Sequence, residues 1–362
     1  MRISRRYLYL TLFVILAVAA WTFFWFRIAG EVRTRTDAWI AEQAAQGVEV
    51  TYGDMQVNGY PYRIEVTIAD LAAEGLPRGG AFTVPEVTVL SLPWNPRLIV
   101  GSLAGETRFR WTDERGAAQS GTYAATSTGF SIAFEDGQAA RFALSGDAPI
   151  VTATTLQGPL SAKVFEVHAR RLAGGATPEG EGAAGDTAPT APLLGEVAVD
   201  GTDVHLPANV RSPLGPLVEK IGYTVGLTGH IPTGRIPAPG PGRRIEDMAA
   251  EWARDGGTIE LSRAETRWGP LNLTLTGSFS IDALNRPIGA ISGRIGGLEP
   301  LIDGAVAEGR LRENQARGIK QALNALGFIA KDKEGRVPVS VTVQDGRVSV
   351  GPVPVGEVKP LF

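Results

Sequence analysis

Residues Tyr7 to Phe26 read YLYLTLFVILAVAAWTFFWF, twenty residues without a charged side chain. A helix of that length rises about 30 Å, the thickness of a bilayer's hydrocarbon core. Eleven of the twenty are Leu, Ile, Val or Phe, each contributing roughly −0.3 to −0.6 kcal/mol to insertion near a helix centre. Tyr7 and Tyr9 at one end, with Trp21 and Trp25 at the other, stand where aromatic side chains meet lipid headgroups. The stretch is therefore expected to be a transmembrane anchor over 7–26, behind a short N-terminus of residues 1–6. Arg2, Arg5 and Arg6 form the basic region of an export signal, and Ala17-Val18-Ala19 has the small residues of a cleavage site. The apolar run continues past that point, which favours a retained signal anchor. Arg27, Arg33 and Arg35 match the three N-terminal arginines, so the positive-inside count is tied. The signal-like layout favours a cytoplasmic N-terminus and an exported body over the opposite orientation.

Behind the anchor the composition is that of a folded body, 44% hydrophobic and 20% charged. A net charge of −3 gives no basic footprint for nucleic acid. Cysteine is absent, which excludes disulfides, thiolate metal sites and Cys nucleophiles. The 45 Gly and 24 Pro suit many short strands joined by turns.

Glu31 to Gln46 reads as a juxtamembrane helix closed by Gly47, within a segment 27–47. The period then switches from 3.6 to 2. Tyr62, Ile64, Val66 and Ile68 alternate with polar residues, as do Thr107, Phe109 and Trp111, then Phe130, Ile132 and Phe134, then Phe142 and Leu144. Further strands are expected at Phe82–Val84, Val87–Leu90, Leu98–Val100, Val164–Ala169 and Val197–Val199, with Pro85 marking an edge or a break. Together 48–172 reads as an antiparallel meander. Residues 173–192 carry no large apolar side chain and read as a disordered loop.

The segment 193–362 mixes helices into a second stretch of sheet. Apolar residues at helical spacing predict helices at Leu214–Ile221, Ile245–Trp252, Leu301–Val306 and Ile319–Leu326, the last closed by Gly327. Leu271, Leu273, Leu275, Phe279 and Ile281 share one strand face, with Gly277 marking a bend or bulge. Ile259 and Leu261 begin the preceding strand, and Trp268-Gly269-Pro270 turns between the two. Val337 to Val343, Gln344-Asp345-Gly346, then Val348 and Val350 describe a hairpin. The expected fold is α+β and β-rich: a curved antiparallel meander sheet, or two, with a few amphipathic helices packed on the concave face.

No catalytic, cofactor-binding or metal-ligating residue is nominated. The three histidines, His168, His205 and His230, lie far apart in sequence and fall in no metal motif. Ser161 and Lys163 share a strand face, without the elbow or helix that a Ser–Lys dyad needs. No phosphate-binding loop or dinucleotide fingerprint occurs. Arg243-Arg244 reads as a solvated loop pair that an acidic headgroup could meet.

Several stretches carry a resemblance: the anchor, GYPYR at Gly59–Arg63, LPWNP at Leu92–Pro96, Gly256–Asp282, NRPIG at Asn285–Gly289, and the closing GPVPVGEVKPLF at Gly351–Phe362. With these the chain resembles the uncharacterised alphaproteobacterial envelope proteins of domain-of-unknown-function family 2125. The resemblance implies an envelope location and supplies no activity. A looser likeness, to AsmA-like envelope proteins, implies a curved sheet that shields lipid chains along a groove.

Anchor, meander and resemblance lead to two expectations of different class. In one, a membrane-anchored periplasmic sheet protein, single-pass in a bacterial inner membrane, binds or shields an apolar ligand such as a lipid in envelope maintenance. In the other, a structural or assembly protein of the envelope holds protein partners, its sheet covered by its own helices. An enzyme is not expected, and an exported hydrolase ranks third. The question that separates the first two is whether the apolar strand face is open or covered.

Overall fold

A computed structural model describes residues 5–171, 193–210, 212–229, 245–351 and 353–361. The loop expected at 173–192, His230 and the Arg243-Arg244 pair lie outside the described residues. The chain is 53% strand and 22% helix, and its strand pairings are antiparallel. It divides into two compact units, Met1–Ala139 with Leu144–Leu156, and Ala140–Ala143 with Gln157–Phe362.

The first unit opens with helix α1, Arg5–Ala45, a single helix of 41 residues. Anchor and juxtamembrane segment, expected as separate elements, run on without a break. The sequence between them, Arg27 to Glu31, contains one Gly and no Pro; a lone helical glycine costs about 1 kcal/mol, too little to end a helix this long. Gly47 ends it, at φ 85°. The window that is apolar enough to cross a membrane is only 6% buried. Its one buried residue is Trp25, where the helix docks on the body: Trp25, Met55, Ile64 and Val66 form a buried cluster, with Ile28, Ala29 and Val32 packed against it.

The strands that follow are β1 (Glu49–Thr51), β2 (Asp54–Asn58), β3 (Ile64–Leu76), β4 (Gly80–Leu92), β5 (Asn95–Ala104), β6 (Thr107–Thr112), β7 (Ala118–Ala124), β8 (Ser127–Glu135), β9 (Gln138–Asp147) and β10 (Ile150–Ala153). Strand β3 pairs with β1 and β2 on one side and β4 on the other. Tyr62, expected to open β3, lies in the turn before it. The two strands expected around Pro85 are one strand, β4, and Pro85 is the seam where its outer partner changes. Before it Ala81–Thr83 pairs with β6; after it Glu86–Leu92 pairs with β5. A proline has no N–H to give to a ladder, so it fits the gap between two partners. Strand β5 goes on to pair with β8, and β6 with β7, which pairs with β10.

The second unit continues with β11 (Leu160–Ser161), β12 (Val164–Arg171), β13 (Leu193–His205), β14 (Leu217–Thr228), helix α2 (Ile245–Arg254), β15 (Thr258–Trp268), β16 (Leu271–Ile281), β17 (Pro287–Gly296), helices α3 (Glu299–Ala307) and α4 (Glu313–Ala330), then β18 (Val337–Gln344), β19 (Arg347–Val350) and β20 (Val353–Glu357). From β12 to β20 each strand pairs antiparallel with the next, a nine-strand meander. The helix expected over Leu214–Ile221 is a correction: residues from Leu217 form β14. Its spacing fits both periods, but Pro213 and Pro216, the β-branched Val218, Ile221, Thr224 and Val225, and Gly222 and Gly226 all oppose a helix. A second correction concerns Gly327, which lies inside α4 and does not close it. Asp345 and Gly346 both have positive φ, 52° and 74°, the type I′ geometry that joins β18 to β19.

Candidate functional site

Side chains on alternate residues of a strand share a face, and cross-strand partners lie on the same face. The register of the second unit can therefore be followed across the meander. One row runs Ala169, Val197, Val225, Leu261, Gly277, Ile291, Val341, Val350, each residue paired with the next. A parallel row runs Val167, Val199, Tyr223, Ala264, Leu275, Gly293, Val339. On one flank lies Phe165, Gly201, Ile221, Thr266, Leu273, Ile295, Val337. On the other flank lies Leu227, Ile259, Phe279, Gly289, Val343, Val348. No charged side chain occurs in the four rows. Their two hydroxyls satisfy each other, Tyr223 Oη and Thr266 Oγ1 lying 2.7 Å apart.

The opposite face is polar. Asp200 accepts from Arg263 at 2.5 Å, Lys220 meets Glu265 at 2.8 Å, and Arg170 meets Glu196 at 3.1 Å. The two faces stay distinct through β15 because of a bulge between Leu261 and Ala264. One extra residue there exchanges the faces. Without it, Ala264 and Thr266 would leave the side that Ile259 and Leu261 occupy.

Glycines on the apolar face allow the sheet to curve. A Cβ on Gly293 would lie 2.0 Å from the Thr274 carbonyl oxygen, one on Gly277 2.4 Å from that of Ala290, and one on Gly289 2.2 Å from that of Ser278. At these points the neighbouring backbone occupies the place of a side chain, as at a bend towards that face. The irregularity expected at Gly277 falls on the strand paired with it: Leu261, its partner, adjoins the bulge of β15.

Among the described residues the face is covered at its two ends: the indole of Trp252 on α2 lies over Gly257 and Gly229, in line with Ile259 and Leu227, and donates to the Thr228 carbonyl at 2.9 Å, while α3 covers the opposite end. Leu214, Leu271, Ile295 and Val337 form a buried cluster, with Leu298 and Leu301 at the start of α3 packed against it. Towards the Trp252 end the side chains stay accessible: Val197 is 45% exposed, Leu227 39% and Ile259 37%. The row through Val225 contains no buried residue. Seven strand spacings of about 4.8 Å give the rows a span of roughly 34 Å. That exceeds the roughly 15 Å depth of one leaflet's hydrocarbon.

The first unit carries two smaller hollows. One, of about 640 Å³, is lined by Phe82, Phe109, Gly121 and Thr152, with Arg108 and Arg110 at its wall. Phe109 lies over Gly121, whose missing Cβ leaves it room. Both guanidinium groups have carboxylate partners, Glu106 at 3.2 Å and Glu74 at 2.7 Å. The other, of about 470 Å³, is lined by Ala17, Val18 and Trp21 of α1 and by Tyr60, Pro61, Tyr62 and Trp94.

Among the described residues, the polar side chains considered in the sequence are not brought together. His168 is exposed on β12, 3.8 Å from Glu166, and His205 lies beside the Asp203 carbonyl. Lys163 is exposed, and no hydrogen bond joins it to Ser161 among the described residues. No group of three acidic or histidine side chains is close enough to hold a metal ion, again among the described residues. The strongest carboxylate environments belong to turns. Asp282 accepts from the Arg286 guanidinium and from the Leu284 and Arg286 amides, which holds its carboxyl below the ordinary 3.8. At Asp332 burial pushes the carboxyl up, but the Arg336 amide and guanidinium outweigh it and leave it lowered.

No curated protein matches this chain. Residues 25–359 match the family described as "Uncharacterized protein conserved in bacteria (DUF2125)". Since the match spans both units, the chain belongs to that family.

Proposed function

We propose that this chain is a membrane-anchored binding protein of the bacterial envelope. Its second unit holds an apolar ligand, a lipid acyl chain, against the uncharged face of its meander. The observation that carries the reading is the set of four cross-strand rows, uncharged over as many as eight strands, which among the described residues α3 and Trp252 of α2 cover at the ends and which are not buried along the central row. A filled core would take its central side chains out of solvent; here no residue of the row through Val225 is buried, Val197 being exposed and the rest half-buried. An apolar surface of that size on a folded protein has a partner. A surface with no charge and few aromatic anchors suits a flexible chain better than a rigid polar one. The helix that precedes it supplies the membrane from which such a chain comes, with the body on the periplasmic side of the inner membrane. The face carries no ionised group, and its two hydroxyls, Tyr223 and Thr266, are paired with each other, which suits binding and shielding of an apolar chain.

Lipid extraction and mass spectrometry of the purified full chain test this reading. Phospholipid at a fixed ratio to protein is the expected result. Val225→Asp and Ile291→Asp each place a carboxylate in the central row and should remove that lipid while the far-ultraviolet circular dichroism stays β-rich. Protein free of lipid, or lipid retained by both variants, would overturn the proposal.

A further inference from the structure

Two turns of the first unit, both singled out in the sequence, meet the apolar part of helix α1. In Gly59–Arg63 the chain doubles back tightly, with the Tyr62 and Arg63 amides both donating to the Gly59 carbonyl at 3.1 and 3.0 Å. Gly59 has φ 98°, and a Cβ there would lie 2.6 Å from the Arg63 carbonyl oxygen. This turn holds the helix through its backbone: the Trp21 indole N–H donates to the Pro61 carbonyl at 2.9 Å, and that of Trp25 to the Arg63 carbonyl at 3.0 Å. Tyr60 is held too, its hydroxyl 2.7 Å from Thr22 Oγ1 and its ring edge-on to Trp25. From the second turn, between β4 and β5, Trp94 reaches Trp21, ring centroids 6.2 Å apart.

These contacts fix the depth of the turns. Trp21 precedes the end of the apolar run by five residues, roughly 7 Å along the helix axis. The cleft between helix and turns has Ala17 and Val18 as its wall, residues deeper still in the run. Tyr62 and Trp94 nevertheless point outward, 74% and 60% exposed. Large aromatics held at that level of a spanning helix have lipid as their solvent.

We propose that the Gly59–Arg63 and Pro93–Trp94 turns are inserted in the bilayer beside α1, and that a phospholipid acyl chain fills the cleft they form with it. This rests on α1 being embedded in the membrane and is independent of what the second unit binds. The continuity of the cleft wall with the apolar run identifies the occupant: any molecule that reaches Ala17 and Val18 has entered from the hydrocarbon. The turns make the membrane a second contact for the body and restrict its tilt about the anchor.

Because the chain has no cysteine, single-cysteine variants of the full chain report depth directly. Y62C and W94C probe the turns, L12C the middle of the span, and E114C the β6–β7 turn. That last turn lies at the far end of β4, where Gly79 neighbours Thr112, about 40 Å from the first two for a strand of this length. Each variant is labelled with an environment-sensitive NBD dye and reconstituted in phosphatidylcholine–phosphatidylglycerol vesicles containing doxyl-labelled phosphatidylcholine. Blue-shifted emission and doxyl quenching at positions 62 and 94, with neither at 114, is the expected result. Quenching at 12 while 62 and 94 behave like 114 would overturn the insertion of the turns. Loss of quenching at 12 as well would overturn the embedding of the helix itself, and the proposal with it.

Discussion

Replacing Trp25 by alanine removes a side chain that is 3% exposed and centred between α1, Met55, Ile64 and Val66. Truncating a buried tryptophan costs about 3–5 kcal/mol. Trp25→Phe keeps most of the volume and loses the N–H donated to Arg63, a difference of about 1 kcal/mol. Thermal unfolding of the detergent-solubilised chain should rank the three proteins in that order. Asp282 and Asp332 set a different dependence. Both carboxyls are held below the ordinary 3.8 in the fold, so the stability they contribute is complete above that value and is lost as pH falls through the lowered one. Acid unfolding monitored below about pH 4 should therefore be shallower in Asp282→Asn. An unchanged acid limb would contradict this account of the turn. At this scale the sequence shows residue types but not their partners. Trp21 and Trp25 read as a headgroup belt because they end an apolar run. Their indoles in fact donate to carbonyls 40 and 38 residues away, a distance no local pattern reports. Gly277, by contrast, was legible as a special position, since a glycine inside an alternating run marks a bulge or a close approach of backbone, and here the Ala290 carbonyl lies where its side chain would be, beside the bulge of β15.

Strands show how far periodicity reaches. The alternation of β6, β8, β16 and β18 is visible in the chain, and with it the apolar side of each. Strand β14 was less legible, because Leu214, Leu217, Val218 and Ile221 satisfy a helical stripe as well as an extended one. The candidate site required more than single strands. Its continuity depends on cross-strand register and on the bulge in β15, which changes the phase of the alternation between Leu261 and Ala264. That phase change is set by pairing with β14 and β16, so the sequence of β15 alone does not contain it. The close approach of backbone at Gly293 makes an element-scale prediction. Gly293→Ala drives a Cβ to within 2.0 Å of the Thr274 carbonyl oxygen, which forces β16 and β17 apart at a cost of about 1–3 kcal/mol. The neighbouring Ser292, exposed on the polar face, should accept alanine with little change. Urea unfolding of the two variants side by side measures the contrast.

At the scale of the molecule, each unit presents apolar surface for a different reason. In the first, the exposed aromatics adjoin a helix apolar enough to cross a membrane. In the second, the uncharged face is part of the sheet itself and is covered at its ends by α3 and by Trp252 of α2. The central claim is that an acyl chain occupies this face. Its most direct test is site-specific photocrosslinking in cells with benzoylphenylalanine at Leu227 and Ile259 on the apolar face, and at Thr276 and Ser292 on the polar face of the same sheet. The account predicts lipid adducts, identified by mass spectrometry, from the first two positions and none from the second two. Protein adducts in place of lipid at Leu227 and Ile259, or no adduct at either, would contradict it.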